Sequence, residues 1–137
     1  MYTISRQFSF CYGHRLSAYN GKCAHPHGHN GKVRIYLQKA SLDSLGMVAD
    51  FNELKNSIGC WIDEHLDHRM ILQSGDPLIA ALFELDEPVY VMPEAPTAEN
   101  LAKLIYCQAA QLGLPVSKVK FWETENCSAA FAAADTL

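Results

Sequence analysis

The chain has 137 residues, 49% hydrophobic and 19% charged, a length and composition that predict one folded domain over residues 1–137 rather than a disordered segment. Its formal net charge of −4 argues against a nucleic-acid partner, and the lack of any apolar run of about 18 residues argues against a membrane span. The five cysteines are odd in number and scattered, which indicates a reduced, cytoplasmic protein rather than a secreted disulfide framework.

Two strands and a helix are predicted in the first half of the chain. Alternation of apolar and polar residues places one strand at 2–12 and another at 31–39, with a turn-forming segment around Pro26 between them. A helix begins at Asp50, whose side chain can cap the first turn, and its apolar residues keep helical spacing as far as Leu66.

The second half predicts a short helical turn, two strands and a longer helix. The turn lies within 77–85 and a short strand covers 88–92. Thr97 is a suitable N-cap for the longer helix, which ends at Gly113, and a last strand covers 118–124. The order predicts an α+β domain with a mainly antiparallel four-stranded sheet and two main helices, whose free sheet edges favour oligomerisation.

Three histidines are expected to meet at one end of the first two strands. His27 and His29 are two residues apart, so in a strand their side chains point to the same side. His14 closes the first strand on its apolar face, so a hairpin would bring it against the other two. Three imidazoles with an open fourth position form a catalytic zinc site. Cys23 or His25 could instead supply a fourth ligand, which would make the metal structural.

Two further sets of polar residues are candidates on weaker signals. Asp67 and His68 come where the first helix should stop, and an Asp-His pair there could orient a nucleophile or base. His65 is better explained by the helix dipole or by packing against Trp61. Glu123 ends the last strand on its apolar face, so it is either a surface residue or an anchor that accepts N–H bonds from an amino-pyrimidine ring.

Several short motifs follow one another in order along nearly the whole chain, with 128–137 as the weakest part. These motifs are His14, Cys23-x-x-x-His27-Gly28-His29, Gly46-Met47-Val48-Ala49-Asp50-Phe51, Leu66-Asp67-His68, Pro96-Thr97-Ala98-Glu99-Asn100 and Glu123-Thr124. In this order they resemble the 6-pyruvoyl-tetrahydropterin synthase / 6-carboxytetrahydropterin synthase family. One departure from the family's pattern is Asn30-Gly31, which replaces a bulkier start to the second strand.

The resemblance implies the tunnelling fold, in which subunits join their sheets into a barrel, as trimers or dimers of trimers with sites between subunits. It also implies zinc ligands, a catalytic triad and a pterin pocket. The zinc (Zn²⁺) ligands would be His14, His27 and His29. The triad would consist of Cys23 as general base with Asp67 and His68. Glu123 would anchor the pterin ring, and Thr97 and Glu99 would shape its pocket.

The implied substrate is 7,8-dihydroneopterin triphosphate. Its side-chain hydroxyls can chelate zinc, and a thiolate beside a protonated histidine can act as a base near neutral pH. The compact chain and its Cys-Ala-His-Pro-His-Gly-His segment favour the queuosine-pathway branch, which makes 6-carboxy-5,6,7,8-tetrahydropterin and releases acetaldehyde and triphosphate. The alternatives are synthesis of 6-pyruvoyl-tetrahydropterin and a non-catalytic pterin- or metal-binding protein, the latter predicting four protein ligands.

Overall fold

A six-stranded sheet is the centre of the computed structural model, which describes residues 1–134. Its strands are β1 (Tyr2–His14), β2 (His27–Lys39), β3 (Arg69–Gln73), β4 (Val89–Met92), β5 (Val116–Thr124) and β6 (Cys127–Phe131). They lie in the order β4-β3-β1-β2-β5-β6. β2 is antiparallel to β1 and β5, and β6 is antiparallel to β5, whereas β3 is parallel to both β1 and β4.

The predicted count of four strands was wrong, because β3 and β6 carry no clear local signal. β3 follows a helix directly and pairs in parallel with strands that are distant in sequence. β6 contains Ser128, Ala129 and Ala130, which are small residues with weak strand propensity, and it forms by pairing with β5. The α+β class is as predicted, and β1 and β2 extend beyond their predicted ends to include His14 and His27.

Helices cover the apolar face of this sheet. α1 (Phe51–Leu54), a π-helical segment (Lys55–Gly59) and α2 (Cys60–His65) form one continuous stretch, followed by the short α3 (Leu78–Glu84) and the longer α4 (Ala98–Gln111). Both predicted caps are present: Asp50 accepts the N–H of Asn52 at 2.8 Å, and Thr97 accepts the N–H of Asn100 at 3.2 Å. Among residues 1–134, no helix is long and apolar enough to span a membrane.

The buried face of the sheet includes His14 at the end of β1. Alternate residues of the central strands, including Tyr12 on β1, Val33 on β2 and Phe121 on β5, are buried against the helices. Because residues two apart in a strand share a face, His14 follows Tyr12 onto this same face. The end of the apolar core is therefore lined by imidazole rings instead of aliphatic side chains.

An ion pair fixes the chain just beyond the end of β1. Arg15 Nε donates to Asp76 Oδ2 at 2.9 Å, and a second guanidinium nitrogen donates to Oδ1. The Asp76 side chain is 2% exposed, and its Oδ1 also accepts the N–H of Leu78 at 2.9 Å. The hydrogen bonds from Arg15 hold the pKa of Asp76 below its usual value. The residue that follows His14 is thereby tied to the start of α3.

We expect Asp76→Asn to lower the free energy of unfolding by about 2 kcal/mol at neutral pH, because Arg15 loses a charged partner while the amide oxygen still accepts from Leu78. The pKa of Asp76 is lower in the folded than in the unfolded chain. Its contribution is therefore complete above the unfolded value of about 3.9 and is lost as the pH falls through the folded value. Urea unfolding of both proteins should show a difference that shrinks in acid; a constant difference would contradict the assignment.

Candidate functional site

Three histidine side chains meet where β1 ends and β2 begins. His14 and His27 face each other directly in the register of the two strands. The ring centroids are 4.5 Å apart for His14 and His27, 5.0 Å for His14 and His29, and 5.1 Å for His27 and His29. One ring nitrogen of each histidine lies within 4.8 Å of the others. The structure thus brings together the three histidines that the sequence places at the strand ends.

Backbone carbonyl groups fix the orientation of two of these rings. His14 Nδ1 lies 2.7 Å from the carbonyl oxygen of Pro96, and His27 Nδ1 lies 2.7 Å from that of His25. A carbonyl only accepts, so both Nδ1 atoms carry a hydrogen, and in the neutral ring the Nε2 atom then presents the lone pair. Such acceptors typically orient metal-binding histidines. No sequence pattern reveals these two acceptors, because every residue has a carbonyl group.

The donor set of this cluster fits a zinc ion. The Nε2 atoms of His14 and His29 are buried and have no hydrogen-bond partner within residues 1–134. Burial is the main cause that lowers the pKa of His14, and the neighbouring His27 and His29 act in the same direction. His14 is therefore kept in the neutral form that a metal ligand requires. Three converging imidazole nitrogens are a ligand set that Zn²⁺ accepts.

The side chains of Cys23 and His25 lie outside the histidine cluster. Cys23 belongs to a 3₁₀ turn (Lys22–Ala24), and both residues are exposed. His25 contributes its backbone carbonyl, which orients His27, rather than a ring nitrogen. Within residues 1–134 of a single chain, the cluster therefore offers three protein ligands rather than the four of a closed site.

Asp67 and His68 form a second group, in the turn between α2 and β3. Asp67 Oδ2 lies 3.0 Å from His68 Nδ1, and His68 has a left-handed backbone with a φ of 59°. The backbone of Cys11 holds both: its N–H donates to Asp67 Oδ1 at 3.0 Å, and its carbonyl accepts the His68 N–H at 2.7 Å. The turn is thus fixed to β1, while the His68 side chain remains 78% exposed.

The cysteine that a single chain places beside this pair is Cys11 rather than Cys23. A ligand atom of Cys11 lies within 4.8 Å of those of Asp67 and His68, and the Cys11 thiol donates to Asn30 Oδ1 at 3.0 Å. No motif marks Cys11, which lies on the polar face of β1. The three residues of the implied triad are therefore not assembled within one chain.

Glu123, Thr97 and Glu99 line one small cavity of about 240 Å³. Glu123 Oε1 lies 4.0 Å from His14 Nε2, so this cavity adjoins the histidine cluster. Thr97 caps α4 and places Glu99 in its first turn, directly after Pro96, whose carbonyl orients His14. The three residues that the resemblance assigns to the pterin pocket are thus neighbours in space, beside the candidate metal site.

The sequence of this chain is similar to those of a known protein family. The sequence model described as 6-pyruvoyl tetrahydropterin synthase matches residues 3–134. The chain belongs to this family. A relative from Rickettsia bellii named 6-carboxy-5,6,7,8-tetrahydropterin synthase is 35% identical over 138 residues, covering 93% of this chain and 97% of the relative. A relative of the same name from Haemophilus influenzae is 31% identical, covering 90% and 94%.

Solved structures agree with the family assignment. An uncharacterized protein from Wolinella succinogenes superposes with a TM-score of 0.80 at 31% identity, covering 96% of this chain and 97% of the other. The 6-pyruvoyl tetrahydropterin synthase of Caenorhabditis elegans superposes with a TM-score of 0.73 at 23% identity, covering 97% and 96%. These likenesses show that the chain has the tunnelling fold that its motifs imply.

We expect chelator-treated protein to rebind about one zinc ion per chain, and His14→Ala to weaken this binding by more than about a hundredfold, because only two imidazoles remain. His65→Ala is the matched control. His65 stacks on Trp61 at 5.0 Å and bonds to its carbonyl oxygen, as the packing interpretation predicts, and it takes no part in the cluster. Isothermal titration calorimetry with zinc measures both affinities.

The same titration distinguishes a site with three protein ligands from a closed site with four. Cys23→Ala and His25→Ala should each bind about one zinc ion with nearly unchanged affinity, because neither side chain belongs to the cluster. A large loss of zinc affinity in either variant would identify that side chain as a fourth ligand.

Proposed function

We propose that this protein is a cytoplasmic enzyme that converts 7,8-dihydroneopterin triphosphate and water to 6-carboxy-5,6,7,8-tetrahydropterin, acetaldehyde and triphosphate, in the synthesis of the queuosine precursor. The observation that carries the proposal is the position of Glu123. It lines a small cavity, and its Oε1 lies 4.0 Å from Nε2 of His14, one of the three clustered histidines. The names of the relatives that are 31% and 35% identical over most of the chain favour this product over 6-pyruvoyl-tetrahydropterin.

Ring binding is assigned to the cavity that contains Glu123. A carboxylate can accept two N–H groups from the amino-pyrimidine part of a pterin, which fixes the orientation of the ring. Glu99 lies in the same cavity, whereas the Thr97 hydroxyl already accepts the N–H of Asn100. Thr97 therefore acts by holding the start of α4 in place. With its ring held here, a substrate directs its side chain toward the neighbouring histidines.

His14, His27 and His29 would hold zinc, which when bound supplies a Lewis acid that polarises the hydroxyl groups of the substrate side chain. Proton transfer at that side chain is assigned to Cys23. Asp67 accepts the Nδ1–H of His68, so the other ring nitrogen is free to hydrogen-bond to a thiol or to substrate. An imidazole that takes the proton of a neighbouring thiol leaves a thiolate, which is the form in which Cys23 would act as a base.

The position of Cys23 supports a site between subunits. Cys23 and His68 are both exposed, yet they do not share a cluster within one chain. We therefore propose that the Asp67–His68 pair of one subunit approaches Cys23 of its neighbour in a homo-oligomer, a trimer or a dimer of trimers. β4 and β6, at the two edges of the sheet, offer the strands by which subunits can join.

Mass spectrometry of the reaction products tests the proposal. Zinc-loaded protein should release 6-carboxy-5,6,7,8-tetrahydropterin and acetaldehyde from 7,8-dihydroneopterin triphosphate. Cys23→Ala should lower turnover by about 10²- to 10⁴-fold and still bind zinc, because it removes a base rather than a ligand. Cys60→Ala, another exposed cysteine, is the matched control. A similar loss in Cys11→Ala, with Cys23→Ala active, would instead make Cys11 the base.

The identity of the product separates the remaining alternatives. Formation of 6-pyruvoyl-tetrahydropterin would place the protein in the other branch of the family. Tight binding of unchanged substrate by zinc-loaded protein would show a non-catalytic pterin-binding protein and would contradict the proposed reaction.

Mixed oligomers test whether the site is shared. Cys23→Ala and His68→Ala chains with different affinity tags are co-expressed and purified together. If the two residues act across subunits, about a quarter to a third of the sites in oligomers that carry both tags will combine an intact Cys23 with an intact His68, and turnover should recover to that extent. Mixing the separately purified variants without subunit exchange is the control. Mixed oligomers that stay inactive would show that both residues act within one chain.

A further inference from the structure

Tyr12 is a buried tyrosine whose hydroxyl has no hydrogen-bond partner among residues 1–134. The residue is only 3% exposed, and buried tyrosine hydroxyls usually find a partner, because an unpaired buried polar group is costly. A phenol hydroxyl can donate a hydrogen bond at physiological pH, so this group is an unused donor beside the histidine cluster.

The ring of Tyr12 lies between the histidine cluster and the strand that carries Glu123. Its centroid is 5.2 Å from that of His14, 5.6 Å from that of His29 and 5.7 Å from that of Phe121. Phe121 precedes Glu123 by two residues on β5, and residues two apart share a face of a strand. Tyr12 thus stands where the candidate metal site and the candidate ring-binding cavity adjoin.

Gly31 provides the space that the Tyr12 ring occupies. A Cβ atom at position 31 would lie 2.9 Å from Tyr12 Cε1 and 3.1 Å from Phe121 Cζ, both closer than ordinary van der Waals contact. The large side chain at position 12 and the missing side chain at position 31 are therefore complementary features of this chain.

We propose that the Tyr12 hydroxyl hydrogen-bonds to a hydroxyl group on the side chain of the bound pterin and selects pterins that carry a hydroxylated side chain. The inference rests on the proposed function. A pterin whose ring is held by Glu123 would direct the substituent of that ring toward the neighbouring histidine cluster. Tyr12 packs against His14 and His29 of this cluster, and its hydroxyl is a buried donor without a hydrogen-bond partner among residues 1–134. Tyr12 is thus assigned to specificity rather than to proton transfer.

Tyr12→Phe tests this assignment, because it removes the hydroxyl and keeps the ring against Gly31. Two unreactive probes are titrated into zinc-loaded full-length protein: neopterin, which has a hydroxylated side chain, and pterin, which has none. We expect the Kd of neopterin to rise about fivefold to tenfold and that of pterin to change by less than about twofold. Tyr90→Phe is the matched control, since Tyr90 packs against Trp61 at 5.8 Å.

Thermal unfolding of the metal-free protein gives a readout that is independent of ligand. If the Tyr12 hydroxyl has no partner in the free protein, Tyr12→Phe removes an unpaired buried polar group and should raise the unfolding midpoint by about 2–4 °C. A hydroxyl that served the fold would give the opposite sign. Higher stability together with weaker neopterin binding is the expected signature of a residue retained for ligand binding.

Each other outcome overturns the inference in a distinguishable way. Equal losses for neopterin and pterin would assign the hydroxyl to the ring rather than to the side chain. Unchanged affinities would remove Tyr12 from the site and leave the proposed function standing. A lower unfolding midpoint would show a structural role. Failure of the wild-type protein to bind either probe would contradict the proposed function, and the inference would fall with it.

Discussion

The register between β1 and β2 is the constraint on which the candidate site depends. It sets His14 opposite His27 and Tyr12 opposite His29. Because side chains alternate between the faces of a strand, a slip of one residue would turn these side chains away from the helices and into the opposite face. The apolar residues beside them on both strands, such as Phe10 on β1 and Val33 on β2, hold the register by their burial. The hydrophobic core therefore positions the polar site.

This arrangement lowers the stability of the protein when no ligand is bound. The buried Nε2 atoms of His14 and His29 and the Tyr12 hydroxyl lack hydrogen-bond partners among residues 1–134. Such atoms oppose folding, whereas apolar side chains at the same positions would favour it. Sites that are built to bind a ligand often keep unfavourable local features that the rest of the fold must offset. The neighbouring Arg15–Asp76 ion pair and the aliphatic core supply that stability.

Local patterns in the sequence were sufficient for most elements of the fold. Alternation predicted β1 and β2, and the capping side chains of Asp50 and Thr97 predicted where the two main helices begin. β3 and β6 were missed for different physical reasons. β3 owes its form to parallel pairing with β1 and β4, a contact between distant segments, and β6 is built from small residues without strand preference. The sequence predicts a sheet with free edges. Which strands lie at these edges depends on β3, which places β4 at one edge, and on β6, which forms the other.

The chemistry that the site can offer follows from the order of the residues, because imidazole and carboxylate groups at fixed strand positions limit what can meet at the end of the sheet. The arrangement of these groups depends on contacts between segments that are far apart in the chain. The carbonyl groups of Pro96 and His25 set the ring orientations, and the backbone of Cys11 holds the Asp67–His68 turn. Backbone groups are the same in every residue, so no sequence pattern shows which will be used. The packing of the chain decides which side chains these backbone groups bind.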